Sequence, residues 1–190
     1  MKVIATALAE VKVYVPRRHV DARGYFSEWY NARDLAEVGL HRQFLQDNIA
    51  LSREAGTVRG LHFQTPPHAQ GKLVGVLRGA AFDVVVDIRG GSPTFGRHVT
   101  IELSAELGNQ VFVPEGFAHG ICNLVADTLV GYKVTDFFDA GCDAGIAWDD
   151  PALAIAWPVE AGQARLSERD GRLPKLATLD PPPFRYEGQP

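Results

Sequence analysis

Residues 81–88 read AFDVVVDI, and their side chains alternate in character with a period of two. One face carries apolar residues and the other carries two carboxylates around a valine: Phe82, Val84, Val86 and Ile88 against Asp83, Val85 and Asp87. Such alternation is typical of a half-buried β-strand. Because charged residues are rarely buried without a partner, we expect the two aspartates to pair with basic neighbours rather than to form a catalytic pair.

Short β-branched or aromatic segments lie on both sides of this stretch and are mostly bounded by turn residues. They are VKVYV (11–15), YFSEWY (25–30), HVTIEL (98–103), QVFV (110–113) and TLVGYKV (128–134). The 190 residues include 19 glycines and 12 prolines, which favours short elements joined by tight turns. The pattern predicts an all-β fold, and we favour an antiparallel double-sheet jelly roll.

Helical signals are confined to two places. In the segment NARDLAEVGL (31–40), the predicted helix begins at a capping residue, Asn31, and stops at Gly39. In LSERDGRL (166–173), Ser167 and Asp170 have the spacing of a capping box, which predicts a short helix there. The jelly roll is therefore expected to carry a few short helices.

Length and charge limit the class of protein. A chain of 190 residues is expected to form one domain over 1–190, with residues 181–190 as an extended C-terminal tail that starts with three prolines. The formal net charge of −4 gives no general attraction for nucleic acid or an anionic membrane, so an anionic ligand needs a local site. With only two cysteines and no apolar run near the roughly 18 residues of a membrane span, we expect a cytoplasmic protein.

The segment GNQVFVPEGFAHGICN (108–123) contains five residues at a distinctive spacing, namely Gly108, Pro114, Gly116, His119 and Asn123. This spacing resembles the second motif of the cupin superfamily, which implies a double-sheet jelly roll with a site inside the barrel. From the residues alone, the proline and Gly116 could simply form a turn, and His119 could be a hydrogen-bonded core residue.

A first cupin motif would supply two histidines one residue apart and then a glutamate. The matching stretch, GTVRGLHFQTPPH (56–68), keeps His62 but has Gln64 in place of the second histidine. An amide carbonyl is a poor ligand for transition metals, and two prolines favour a loop before His68. We therefore expect no metal here, and two histidines in a barrel without a metal favour acid–base chemistry.

Ten short runs extend the resemblance over nearly the whole chain. They are DARGYF (21–26), QDN (46–48), RGLHFQ (59–64), QGKLV (70–74), DVVVDIR (83–89), SPTFG (92–96), VPEGFAHG (113–120), YK (132–133), IAWDDP (146–151) and LSERD (166–170). Their order and spacing are similar to those of the dTDP-4-dehydrorhamnose 3,5-epimerase family of bacterial deoxysugar pathways. The resemblance implies a cofactor-independent, metal-free cupin isomerase that acts as a homodimer. Its implied reaction inverts C3 and C5 of dTDP-4-keto-6-deoxy-D-glucose, giving a sugar for a polysaccharide or a secondary metabolite.

Three residues match the family's catalytic positions. His62 resembles the general base, Asp170 the carboxylate that orients it, and Tyr132 the general acid. Inverting a carbon next to a ketone needs a base on one face, a group that stabilises the enolate, and an acid on the opposite face, so these residue types suit the reaction. Without the resemblance, His62 and Tyr132 could be hydrogen-bonded core residues, and Asp170 could only cap a helix.

Other residues match substrate-binding positions of the family. Lys72 resembles the residue that meets the C4 oxygen, and His119 resembles one that binds the sugar. Arg23 and Arg59 resemble the arginines that bind the diphosphate, a role that suits the guanidinium fork. Further contacts to the base, the sugar or the backbone are implied for Glu28, Gln46, Asn48, Phe138 and Asp143.

The chain departs from the family after Tyr132, because Phe137 and Phe138 replace a usual pair of tyrosines. Phenylalanine can stack on thymine but has no hydroxyl, and this region bears on whether C3, C5 or both are inverted. Three alternatives therefore stay open. They are a mono-epimerase of a related dTDP-4-keto sugar, a non-catalytic module that binds nucleotide sugars, and a metal-dependent cupin enzyme using His62, His68 and His119.

Overall fold

The computed structural model describes residues 1–188, and β-strands dominate its secondary structure. The strands are β1 (Lys2–Ala5), β2 (Lys12–Val15), β3 (Arg18–Asp21), β4 (Gly24–Ser27), β5 (Gln46–Ser52), β6 (Val58–Gln64), β7 (Lys72–Arg78), β8 (Ala80–Asp87), β9 (Arg89–Gly90), β10 (His98–Ser104), β11 (Gln110–Val113), β12 (Phe117–Asn123), β13 (Thr128–Val134), β14 (Asp143–Gly145) and β15 (Phe184–Arg185). The helices of this part of the chain are α1 (Ala32–Glu37) and three 3-10 turns at Ala161–Gln163, Asp170–Arg172 and Leu176–Thr178. None of them has the length and apolar character that crossing a membrane requires.

Most strands belong to two antiparallel sheets. The six-stranded sheet has the order β1-β2-β11-β7-β13-β5, and the five-stranded sheet has the order β10-β8-β12-β6-β14. Their inner faces pack together, since one apolar cluster contains Val74 and Val130 from the first sheet and Val85 and Ile121 from the second. The predicted all-β, antiparallel double-sheet jelly roll with a few short helices is confirmed.

The strand β8 is buried on both faces, so the prediction of a half-buried strand at 81–88 is wrong. Val85 faces the core between the sheets, while Val84 and Val86 pack with Ile146 and Leu176 on the outer side. The reason is that the C-terminal third of the chain covers the outer face of the five-stranded sheet. A period of two identifies the strand but does not show what covers its second face.

The segment YFSEWY forms a shorter strand than predicted, because β4 ends at Ser27. It pairs only with β3, so the two form a hairpin that belongs to neither large sheet. Trp29, beyond the hairpin, packs against Gly75, where an added Cβ would lie 2.6 Å from the indole ring. Tertiary packing of this ring therefore takes the place of strand pairing.

Both predicted helical segments contain helical turns. The side chain of Asn31 accepts from the backbone N–H of Arg33 and Asp34, as expected of an N-cap, and Leu35 of α1 is buried. At the second segment the backbone N–H of Asp170 donates to Ser167 Oγ at 3.0 Å. This turn leaves the Asp170 carboxylate free for other partners.

The C-terminal segment lies along the end of the barrel. β15 pairs in parallel with β9, and the N–H of Tyr186 donates to the carbonyl oxygen of Gly90. The Arg89 guanidinium stacks on the rings of Phe117 and Tyr186. Of the expected tail at 181–190, Phe184–Arg185 form β15, and residues 189–190 lie outside the described residues.

Candidate active site

A cavity of about 490 Å³ lies between the two sheets. Its lining includes residues of β6 and β12 from one sheet and of β7 and β13 from the other, together with the segment 165–170. A neighbouring cavity of about 400 Å³ shares His62, Lys72, Tyr132 and Arg169 with it. The two spaces therefore meet at these four side chains.

Strand register explains why the side chains of the six-stranded sheet converge. Tyr132 is paired with Asn48 on one side and with Val74 on the other, and paired residues of antiparallel strands point to the same face. Lys72 lies two residues before Val74 and so shares its face. Tyr132, Lys72 and Asn48 consequently all point towards the five-stranded sheet.

A β-bulge in β6 brings Arg59 and His62 to the same face. These residues are three apart and would point to opposite sides of a regular strand. The pairing of β6 with β12 shifts between His119 and Ile121, so that two steps along β12 correspond to three along β6. Gly60 at the bulge has a φ of +117°, and a Cβ there would lie 2.6 Å from the carbonyl oxygen of His119. Only glycine fits such a close approach.

His62 and Asp170 form a short polar contact in the wall of the first cavity. Nε2 of His62 lies 2.6 Å from Oδ1 of Asp170, whose side chain is 5% exposed. Oδ2 accepts from the N–H of Gly60 at 3.4 Å. Burial alone would raise the pKa of Asp170, but the hydrogen bonds from His62, Gly60 and Ser167 and the charge of His62 bring it below its usual range. Asp170 therefore stays ionised and does more than cap a turn.

Lys72 enters the same cavity from β7. Its Nζ donates to the carbonyl oxygen of His62 at 3.3 Å. Burial lowers the pKa of Lys72 to about 8, although the negative charges of Asp143 and Asp83 oppose this shift. The amino group is therefore a cation at neutral pH that loses its charge at mildly alkaline pH.

Tyr132 faces His62 from the other sheet. Burial raises the pKa of its phenol, with Asp143 adding to the rise and Arg59 opposing it. Its hydroxyl has no hydrogen-bond partner within residues 1–188. The phenol is thus a protonated donor that is available to a ligand.

His119 lies directly across from His62 in the strand register. Its Nε2 is 2.7 Å from Oδ2 of Asp83, which is fully buried. Asp87 on the same strand pairs with Arg89 at 2.8 Å. The prediction that both aspartates of β8 pair with basic groups is confirmed.

Several of the expected binding residues surround the two cavities. Arg59 lines the first cavity, where Nε donates to Ser52 Oγ at 3.1 Å. Four more of the expected binding residues line the second cavity, namely Gln46, Asn48, Phe138 and Asp143. These polar and aromatic groups therefore line the same two cavities as His62 and Tyr132.

Two expected binding residues lie elsewhere. Arg23 is in the turn of the β3–β4 hairpin with its side chain 90% exposed, and it pairs with Asp21 at 2.6 Å. Glu28 follows the hairpin and accepts from Nδ2 of Asn31 at 3.1 Å. Neither residue lines the first or the second cavity.

The histidines of the metal-cupin alternative do not gather at one point. His68 contacts Asp136 at 3.1 Å, away from the pair His62 and His119. In residues 1–188 no group of three or more His, Cys, Asp or Glu side chains is arranged to hold a metal ion. The ligand set His62, His68 and His119 proposed for that alternative is therefore wrong.

Sequence reasoning assigned no part in the site to Arg165, Ser167 or Arg169, which also line it. Arg169 lines both cavities and pairs with Asp143 at 2.8 Å, while Arg165 and Ser167 line the first cavity. The available signal was their position beside Asp170, since Ser167 and Arg169 belong to the run LSERD. Because the turn places Asp170 at the cavity, the residues next to it in sequence also lie there.

Comparison with known proteins identifies relatives over almost the full length. A family model described as dTDP-4-dehydrorhamnose 3,5-epimerase matches residues 5–178. A dTDP-4-dehydrorhamnose 3,5-epimerase of Sinorhizobium fredii is 52% identical over 185 residues, covering 95% of this chain and 91% of that protein. The corresponding Escherichia coli protein is 41% identical, and the alignment covers 95% of each chain.

Solved structures give the same result. The Legionella pneumophila epimerase in complex with dTDP-4-keto-L-rhamnose has a TM-score of 0.93 and 41% identity, with 98% of this chain and 99% of that chain covered. A Bacillus anthracis dTDP-4-dehydrorhamnose 3,5-epimerase with TDP and pyrophosphate bound has a TM-score of 0.89 and 48% identity, with 92% and 98% covered. The jelly roll is therefore the cupin-like fold of these enzymes.

Proposed function

The chain belongs to the dTDP-4-dehydrorhamnose 3,5-epimerase family, and we propose that its cavity performs both inversions with His62 as base and Tyr132 as acid. The protein is an isomerase that converts dTDP-4-keto-6-deoxy-D-glucose into dTDP-4-keto-L-rhamnose. One observation carries the assignment of roles. His62 and Tyr132 line the same cavity from two facing sheets, so a sugar between them has a base on one face and an acid on the other.

Proton removal is assigned to Nδ1 of His62. Because the Asp170 carboxylate accepts the hydrogen of Nε2, the neutral ring has its free electron pair on Nδ1. Nδ1 takes the proton from the carbon next to the ketone, and the C–H electron pair forms the enolate. Asp170 then stabilises the imidazolium, and the ring later releases its proton to solvent.

Lys72 is assigned to the enolate oxygen. The negative charge of the enolate develops on the oxygen at C4, and a cation held in a partly dry cavity stabilises it more strongly than in water. Lys72 Nζ is already fixed beside the His62 backbone by its hydrogen bond. His119, held by Asp83 on the same wall as His62, is assigned to binding the sugar.

Tyr132 returns the proton on the opposite face. A phenol with a raised pKa keeps its proton at neutral pH, and an enolate is basic enough to take it. The phenolate then recovers a proton from solvent. Each inversion therefore exchanges one carbon-bound hydrogen with water and needs no electron acceptor, so we propose a cofactor-independent reaction.

The nucleotide is assigned to the outer wall of the two cavities. The guanidinium of Arg59 matches the geometry of phosphate oxygens, which supports a role in binding the diphosphate. Gln46 and Asn48 offer amide groups for the base or sugar, and Phe138 offers a ring for stacking on thymine. Asp143 adds an acceptor, paired with Arg169.

We propose that the protein is a homodimer in which the β3–β4 hairpin docks on the partner. The hairpin exposes Val20, Tyr25 and Phe26, and pairs with neither large sheet. Arg23 lies in this hairpin, so as a substrate-binding residue it would have to enter the cavity of a second copy, accompanied by Glu28. The open edge of β5, next to the second cavity and bearing the exposed Ile49, offers a place for this contact.

The whole chain from 1 to 190 is proposed to act as one catalytic domain, and the pairing of β15 with β9 supports the inclusion of the C-terminal segment in it. A cytoplasmic location is proposed because two free cysteines suit a reducing compartment. No membrane or nucleic-acid partner is proposed, in keeping with the net charge of −4.

Incubation with dTDP-4-keto-6-deoxy-D-glucose in deuterium oxide tests this function. We expect deuterium at both C3 and C5 of the product, because each inversion takes its new hydrogen from solvent. Deuterium at one carbon only would show that the protein is a mono-epimerase. Deuterium at neither carbon would exclude the proposed function. A boiled sample controls for spontaneous exchange next to the ketone.

A further inference from the structure

One stretch of chain contributes to the wall of the second cavity. Residues 135–142, here called the crossover segment, connect β13 of the six-stranded sheet to β14 of the five-stranded sheet. Phe138 of this segment and Asp143 just after it line the second cavity. The crossover segment therefore borders the cavity to which the nucleotide is assigned.

Gln64 holds the middle of this segment from the five-stranded sheet. Its Nε2 donates to the carbonyl oxygens of Phe137 at 3.2 Å and of His68 at 2.6 Å. Its Oε1 accepts from the N–H of Asp139 at 2.8 Å. Both amide hydrogens and the amide oxygen are used, and the side chain is 3% exposed.

Gln46 holds the same place from the six-stranded sheet, because its Oε1 accepts from the N–H of Phe138 at 3.2 Å. The strand register places one glutamine at each end of the segment. Gln46 is paired with Val134 at the end of β13, and Gln64 is paired with Asp143 at the start of β14. Three consecutive residues, 137–139, are thus fixed by amides from both sheets.

The chemistry of this anchor explains the residue type at position 64. Two backbone carbonyls and one N–H require a side chain with two donor hydrogens and one acceptor, which a primary amide supplies. A neutral imidazole has only one N–H donor. A carboxylate has none, and its negative charge would be repelled by the two carbonyl oxygens. The glutamine at the position of a cupin metal ligand therefore has a structural role, since it anchors the crossover segment.

We propose that Gln64 is a positioning residue that keeps the crossover segment closed over the substrate so that both inversions occur in one binding event. This inference rests on the proposed function. One base serves two carbons in succession, so the singly inverted sugar must stay bound while His62 and Tyr132 exchange protons with solvent. Its fate is set by the rate of the second inversion relative to the rate of release, and a loosened segment increases only the rate of release.

The test is the substitution Gln64→Met, which keeps the length and volume of the side chain and removes its three hydrogen bonds. The reaction is run in deuterium oxide, and the sugar released at early times is separated by mass into singly and doubly deuterated products. We expect the ratio of single to double label to rise about fivefold, as the loss of net hydrogen-bond energy implies. KM should rise while the initial rate of exchange at saturation stays within about twofold.

The matched control is Gln110→Met. Gln110 is also a buried glutamine, but its Nε2 donates to the carbonyl oxygen of Trp29, and it lines neither cavity. We expect this variant to keep the wild-type ratio of labels even where it lowers stability. An equal rise in both variants would overturn the proposal, because general destabilisation would then suffice.

An unchanged ratio in folded Gln64→Met also overturns the proposal. If that variant does not fold, the half-buried Gln70 gives a second route, since its Nε2 donates to the carbonyl oxygen of Asp136 in the same segment at 2.8 Å. Gln70→Met is expected to move the ratio in the same direction, and no movement there rejects the anchoring role. A wild-type enzyme that labels neither carbon would instead reject the proposed function itself.

Discussion

At the scale of single residues, the tautomer and orientation of the His62 ring depend on Asp170. The ionised carboxylate fixes the ring so that Nδ1 lacks a proton. The substitution Asp170→Asn keeps the shape but removes this preference, so we expect kcat to fall on the order of a thousandfold, with a small change in KM. Steady-state kinetics check this, and Ser167→Ala, which removes the hydrogen bonds of one hydroxyl near Asp170 but keeps the carboxylate and its contact with His62, should cost far less. Activity of Asp170→Asn within tenfold of wild type would contradict the assignment.

In the proposed mechanism, Lys72 sets the alkaline limit of activity. Only its charged form stabilises the enolate, and its pKa is lowered to about 8, so the rate should decline as pH rises through about 8. Tyr132, with a raised pKa, stays protonated well beyond that point. The same shift means that the folded protein binds fewer protons than the unfolded chain between about 8 and 10.5, so this group makes the free energy of unfolding rise with pH there.

A pH profile of kcat/KM measures this limb directly, because kcat/KM reports the ionisations of the free enzyme, to which this pKa belongs. The expected profile falls with an apparent pKa near 8, and Lys72→Met should be almost inactive at every pH. A limb that begins only above pH 10 would assign the alkaline loss to Tyr132 instead.

Site residues could be predicted from the sequence where they belong to short contiguous runs. Those whose place in the site depends on long-range folding were missed. His62, Lys72 and Tyr132 belong to short runs that mark them directly, and the structure brings all three to one cavity. Arg169 belongs to such a run too, yet its place between both cavities depends on how the segment 165–170 folds back onto β6. That contact joins residues about a hundred positions apart and leaves no local pattern.

At the scale of elements, the bulge in β6 decides which side chains share the cavity. Gly60→Ala would place a Cβ 2.6 Å from the His119 carbonyl oxygen on a backbone with φ of +117°. We expect this variant to lose about 2–4 kcal/mol of unfolding free energy in urea titrations. Gly162→Ala is the matched control, since nothing lies within 4 Å of its added Cβ. Equal stability of the two variants would show that the bulge tolerates a side chain.

Elements were predicted well where local chemistry decides them. QVFV and TLVGYKV correspond to β11 and β13 residue for residue, and Asn31 caps α1 as expected. The bulge in β6 was out of reach, because a register shift is a property of two paired strands and not of either alone. The prediction that β8 is buried on one face only was wrong for the same reason, since its second face is covered by residues from the distant C-terminal third.

At the scale of the whole molecule, the hairpin formed by β3 and β4 carries the proposed dimer contact. Phe26 is 67% exposed in the single chain, and Phe26→Asp should shift the protein from dimer to monomer in light scattering. KM should rise at least tenfold, because Arg23 of a partner copy would no longer be held at the cavity. Val125→Asp, at an exposed turn away from both cavities, is the control. A wild-type monomer with full activity would reject the dimer.

The central claim is that His62 and Tyr132 act from opposite sides of one sugar. Following solvent deuterium and product configuration together in Tyr132→Phe and His62→Asn tests it most directly. The account predicts that Tyr132→Phe still exchanges hydrogen next to the ketone through His62 but returns it to the same face, so label enters without inversion. His62→Asn should neither exchange nor invert. Full inversion by Tyr132→Phe, or continued exchange in His62→Asn, would contradict the account.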